Sequence, residues 1–180
     1  TSTSPAPGKI GQGLRFDGVD DYIELGQPAS LIIPNAITIS AWVNYLNPTQ
    51  ANTQVIVGKT MSTGVNGSYM CRIQNITCKI RFTLNTGTSA QINGNTALSA
   101  NIWYHITCVW DGANLYVYLN GVSNATPVAK TGTMADNGVN ANIGRIAESL
   151  MYFNGKIDDV RVYNRALSAS EVKMLYNMGR

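Results

Sequence analysis

The stretch Trp103-Tyr104-His105-Ile106-Thr107-Cys108-Val109-Trp110-Asp111-Gly112-Ala113-Asn114-Leu115-Tyr116-Val117-Tyr118-Leu119 decides the architecture. Two strand-like runs flank Asp111-Gly112-Ala113-Asn114, residues that accept the backbone conformations of a tight turn cheaply. In the first run Ile106, Cys108 and Trp110 share one face, and His105, Thr107 and Val109 share the other. In the second, Leu115, Val117 and Leu119 suit a core, which turns Tyr116 and Tyr118 outward. The reading is an antiparallel hairpin with one buried face.

The same alternation recurs along the chain. Ile37-Thr38-Ile39-Ser40-Ala41-Trp42-Val43-Asn44 has period 2, with Ile37, Ile39, Ala41 and Val43 inward and Trp42 outward. Further strand-like runs lie at 14–16, 22–25, 53–57, 69–74, 78–84, 142–146 and 155–163. Turn pairs stand at Asn66-Gly67, Asn93-Gly94, Asn120-Gly121, Asn137-Gly138 and Asn154-Gly155. A single helix is signalled near the end. Ser168-Ala169-Ser170-Glu171 is a capping box, and it opens Val172-Lys173-Met174-Leu175-Tyr176, with Gly179 as terminator. These elements predict an all-β fold, a two-sheet antiparallel sandwich with a short C-terminal helix. The Thr/Ser/Pro-rich residues 1–8 read as linker and residues 9–180 as one domain, a normal size for a single core.

Charge and composition narrow the function classes. The 13 Lys and Arg against 10 Asp and Glu leave a net charge of +3, scattered singly, so no basic stripe suggests nucleic acid. No apolar run approaches the ~20 residues of a membrane-spanning helix. One His, no nucleophile elbow and no closely spaced acidic strand motif give no catalytic constellation. Half of the acidic residues sit in two short stretches, Phe16-Asp17-Gly18-Val19-Asp20-Asp21-Tyr22-Ile23 and Asn154-Gly155-Lys156-Ile157-Asp158-Asp159-Val160-Arg161-Val162-Tyr163. Carboxylates repel one another, so such clustering suits either solvated turns or a hard cation such as calcium. A sandwich whose first and last strands are neighbours would unite the two stretches. Cys71 and Cys78 are placed symmetrically about a Gln74-Asn75 turn, where a disulfide between paired strands is geometrically open. Cys108, on an apolar strand, reads as a small buried hydrophobe.

Taken together, these segments resemble the laminin-G-like group of concanavalin A-like jelly rolls, in the form common in bacterial secreted proteins. The resemblance is carried by Gly13-Leu14-Arg15-Phe16-Asp17-Gly18-Val19-Asp20-Asp21-Tyr22, Ile37 to Val43, Trp103-Tyr104-His105, Trp110-Asp111-Gly112 and Leu119-Asn120-Gly121-Val122. Its last element is Phe153 to Ser168. It implies a jelly roll that meets ligands on a concave sheet face or at the loop rim. It also implies a structural calcium held by Asp17 and Asp158, with the Gly18 carbonyl, then Asp21 and Asp159. Sugars stack on exposed rings, so Trp42, His105, Tyr116 and Tyr118 are the candidate ligand contacts, joined by Tyr69 and Arg72 as cleft residues. The expected function is a non-catalytic carbohydrate-binding, lectin-like module of a larger secreted or surface protein, with a glycan or polysaccharide as partner. The rivals are an adhesion domain that binds protein and a small polysaccharide-acting enzyme of the same fold.

Overall fold

A computed structural model describes residues 3–46, 53–61, 68–147 and 151–180. In chain order the strands are β1 (Ser4–Pro7), β2 (Gln12–Asp17), β3 (Ile23–Gly26), β4 (Ile37–Tyr45), β5 (Gln54–Lys59), β6 (Tyr69–Ile73) and β7 (Lys79–Asn85). Then follow β8 (Ser89–Ala97), β9 (Trp103–Trp110), β10 (Asn114–Leu119), β11 (Val122–Ser123), β12 (Val128–Ala129), β13 (Ala141–Ile143) and β14 (Asn154–Tyr163). Helix α1 (Ala169–Met178) closes the chain. An eight-stranded sheet has the order β1-β2-β14-β4-β9-β10-β11, with β12 also on β10, and a six-stranded sheet has the order β3-β13-β5-β6-β7-β8. All pairings are antiparallel, so this is the two-sheet jelly-roll sandwich that the alternation predicts.

The core lies between the sheets. Ile37, Ile39, Ala41 and Val43 of β4 and Ile106, Cys108 and Trp110 of β9 meet Cys71 and Ile73 of β6 and Ile80, Phe82 and Leu84 of β7. Each of these strands alternates an inward apolar residue with an outward one, the pattern that lets a sheet bury a single face. A smaller second core lies behind the eight-stranded sheet, where Val172 and Leu167 pack on Val109 and Tyr118. The Ser168/Glu171 capping box forms in both directions, which fixes where α1 starts.

Three local expectations are corrected. Residues 4–7, read as linker, pair with Gln12–Arg15 as edge strand β1. Asn93-Gly94 and Asn154-Gly155 lie inside β8 and β14 rather than in turns. Glycine serves close approach there, since a Cβ on Gly155 would collide with the carbonyl of Asn44 on the neighbouring strand. Asn66-Gly67 falls outside the described residues. The β6–β7 turn is centred later than Gln74-Asn75, because Ile73 pairs with Ile80 and Cys71 faces Phe82. Cys78 therefore sits outside the ladder, at positive φ, and no disulfide joins it to Cys71.

Candidate functional site

The outer face of the six-stranded sheet carries a groove of about 220 Å³. Inward positions of β6 and β7 are taken by Tyr69, Cys71, Ile80, Phe82 and Leu84. Period-2 alternation sends Met70, Arg72, Thr83 and Asn85 the other way, where they line the groove with Ser68 and Gln91. Arg72 Nε and Thr83 Oγ1 are both buried without a hydrogen-bond partner. Among the described residues, the one hydrogen bond of the Arg72 guanidinium is a long contact, 3.9 Å, from Nη1 to Met70 Sδ. Burial, and next the neighbouring Arg81, push the Arg72 pKa down from the usual arginine value. Tyr69 borders the groove but belongs to the core, 1% exposed, with its hydroxyl donating to the Leu31 carbonyl. Of the residues singled out in the sequence, Arg72 is the one whose polar head reaches this groove. Thr83, Asn85 and Gln91 give no sequence signal beyond being the outward members of alternating strands.

The remaining candidate contacts lie on the opposite sheet, and α1 covers most of them. Trp42 is 2% exposed, its indole stacked on Tyr176 of the helix at 5.7 Å and tilted against His105 at 5.2 Å. The helix end also closes on Trp42: a Cβ on Gly179 would lie 2.5 Å from the indole nitrogen. His105 Nε2 lies 2.8 Å from Ser40 Oγ, while Nδ1 is buried without a partner. Burial pushes the His105 pKa down to about 4, against a smaller upward pull from Asp159. Tyr118 is 9% exposed beside Leu167. Tyr116 stays half-buried and donates its hydroxyl hydrogen to Asp111 Oδ2 at 2.9 Å. The alternation holds, but the outward face of the hairpin is a helix-docking surface and not a solvent-facing platform.

The acidic stretches are neighbours in space, yet they run past each other. On the β2–β14 ladder Asp17 faces Asn154, whereas Asp158 lies beyond the Ile157–Leu14 pair at the other end. Antiparallel pairing thus separates Asp17 from Asp158. Asp158 Oδ2 accepts the backbone N–H groups of Lys9 and Ile10, each at 2.8 Å, and Oδ1 accepts that of Asp159. Asp159 sits in a β14 bulge at positive φ and pairs with Arg161 at 2.9 Å. Among the described residues, neither carboxylate joins a set of metal-binding groups. Asp17, Asp20 and Asp21 instead bring one carboxylate oxygen each to within 4.8 Å of the others. Part of that set serves the turn: Asp17 Oδ1 accepts from Val19 and Asp20, which lower its pKa, and Asp21 Oδ2 accepts from Asp17 N. Gly18 is needed there for conformation, at φ +79, and a Cβ would fall 2.7 Å from the Cβ of Asn154. The donor set is all hard oxygen, the chemistry calcium takes.

Residues 17–173 match the family model Laminin_G_3, described as the concanavalin A-like lectin/glucanases superfamily, and the chain belongs to that family. No curated protein sequence matches it significantly. Solved structures share the fold at low identity. The binding domain of Paraclostridial Mosquitocidal Protein 1 superposes with a TM-score of 0.79 at 19% identity, over 99% of this chain and 46% of that one. Domain 4 of AbnA, a GH43 extracellular arabinanase from Geobacillus stearothermophilus solved with arabinotriose, gives 0.77 at 20% identity, over 98% and 82%. The binding domain of Botulinum neurotoxin DC in complex with SialylT gives 0.74 at 14% identity, over 99% and 45%. The chain spans under half the length of the toxin binding domains it matches. No described helix is long and apolar enough to cross a membrane.

Proposed function

We propose that this domain is a non-catalytic, lectin-like carbohydrate-binding module of a secreted or surface protein, with its ligand in the groove on β6–β8. The observation that carries this reading is the pair of desolvated, unpartnered polar atoms in that groove, Arg72 Nε and Thr83 Oγ1. A buried donor or acceptor left unsatisfied costs about 1–3 kcal/mol, a cost a ligand's hydroxyl groups would remove. Amide and hydroxyl groups of Asn85, Ser68 and Gln91 around them match the alternating donors and acceptors of a sugar edge. The relatives solved with arabinotriose and SialylT are consistent with a saccharide ligand for this fold. Catalysis is disfavoured by chemistry: the described groove lining holds no carboxylate, and the one His is sealed under α1.

A structural calcium at the turn after β2, held by Asp17, Asp20 and Asp21, belongs to the same proposal. It would tie the β2 end of the sheet without touching the groove. The test of function is binding of the purified domain to a glycan and polysaccharide panel, repeated with Thr83→Val and Gln91→Ala. Saccharide binding that weakens about tenfold in these variants supports the reading. A saccharide bound equally by all three proteins, or capture of protein ligands only, overturns it.

A further inference from the structure

The groove has a charge problem that neutral sugars do not solve. Arg72 and Arg81 stand directly opposite each other on the β6–β7 ladder. Like charges at facing positions destabilise a sheet, and Arg72 is partly desolvated besides. Among the described residues neither guanidinium has a carboxylate partner. Arg81 Nε donates to the amide oxygen of Asn93 at 2.7 Å, a neutral partner, and its other neighbour, Gln74, is neutral as well. Arg72 in the groove lining and Arg81 at the facing position beside it offer two guanidiniums to one planar or tetrahedral oxyanion at the groove's edge.

Resting on the proposed groove site, we infer that its ligand is an anionic saccharide whose carboxylate or sulfate is held between Arg72 and Arg81. Charge-assisted hydrogen bonds make the acidic sugar bind about tenfold to a hundredfold tighter than its neutral counterpart. The test measures affinity for matched pairs: polygalacturonate against its methyl ester, and dextran sulfate against dextran, in about 0.15 M salt so that long-range attraction is screened. The two arms distinguish carboxylate from sulfate. Arg72→Gln and Arg81→Gln should each abolish the preference, while Lys156→Gln, a cation on β14 of the other sheet, should leave it intact. Binding of neutral saccharide at the groove with no acidic preference would sink the charge inference and keep the groove. A preference lost equally in Lys156→Gln would reduce it to bulk attraction by a basic domain, and no saccharide binding of any kind would overturn both.

A second observation, independent of any ligand, concerns the core. Cys71 of β6 and Cys108 of β9 belong to opposite sheets, are at most 1% exposed, and their sulfurs lie 3.1 Å apart. A disulfide needs about 2 Å, so a movement of roughly 1 Å across the core suffices. Burial pushes the Cys108 thiol pKa up, which slows reaction in the folded state and favours bridging during folding.

The geometry points to an inter-sheet disulfide, Cys71–Cys108, in protein folded where a disulfide oxidant is supplied. Two S–H bonds break and one S–S bond forms. The two electrons and two protons reduce one external disulfide, such as oxidised glutathione, to two thiols. The test refolds the reduced, denatured chain in a glutathione redox buffer, quenches with iodoacetamide and maps the peptides. One label on Cys78 and a linked Cys71–Cys108 peptide pair are expected. Reduction should then lower Tm by about 10 °C, from the loop closed between the two positions. Three labelled cysteines, or a bridge that includes Cys78, would overturn the assignment.

Discussion

Acidification from neutral pH should weaken this fold in a window that belongs to one residue. His105 is the single histidine of the chain. It lies 1% exposed beneath α1, between Trp42 and Tyr176, with Asp159 and Arg161 of β14 as the nearby charges. Its folded pKa of about 4 stands below the ordinary 6.5, so between these values the unfolded chain holds a proton that the native protein refuses. Stability is therefore full above about pH 6.5 and falls as pH drops toward 4. Every pH step of one across this interval costs about 1.4 kcal/mol, giving roughly 3 kcal/mol over the window, of which about 2 kcal/mol is lost between pH 7 and pH 5. Urea unfolding followed by tryptophan fluorescence at stepped pH measures this directly, because Trp42 reports on the same contact. His105→Gln should flatten the dependence above pH 5, whatever it does to absolute stability. A wild-type stability that stays level between pH 7 and 5, or a slope unchanged in His105→Gln, would refute the reasoning. The carboxylates with lowered pKa, Asp17, Asp111, Asp136 and Glu171, act lower, as pH falls below about 4.5.

Other outcomes follow from the same geometry. Asp158→Ala removes the acceptor of the Lys9 and Ile10 N–H groups and should cost about 2–3 kcal/mol in denaturant unfolding, with β1 losing its hydrogen-exchange protection first. Gly179→Val should drive the helix end off Trp42, red-shifting its fluorescence and costing about 1–3 kcal/mol. Calcium at about a hundred times its dissociation constant should raise Tm by roughly 5–10 °C, an increment that Asp21→Asn abolishes. Melting curves that coincide in calcium and in chelator would remove the metal from the proposal.

Much of this architecture is written in the period of the sequence. The β9–β10 hairpin, the inward face of β4 and the capped start of α1 depend on neighbours a few residues away, and local physics sets them. What alternation cannot give is what covers an outward face. Trp42, His105, Val109 and Tyr118 alternate with core residues, and only the docking of α1 turns them from surface into a second core. A hint is present, because an outward row of Trp, His, Val and Tyr is too apolar for water and the helix carries an apolar stripe in need of a partner. The acidic stretches show the same limit. Their adjacency follows from a first-to-last strand pairing, but the register that separates Asp17 from Asp158 is a long-range quantity. Arg72 is legible as a candidate cleft residue, whereas its outward placement opposite Arg81 requires knowing that the β6–β7 turn is centred beyond Gln74-Asn75.

The placement of β1, β2 and β14 side by side has a mechanical consequence. Tension applied between the two chain ends would run through these three strands, the Asp158 clasp and α1, all in or against one sheet. The six-stranded sheet lies off that load path. A pull on the ends would peel the sandwich from its β1 edge while the groove side stays unstrained, so the outermost strand would leave before the groove deforms.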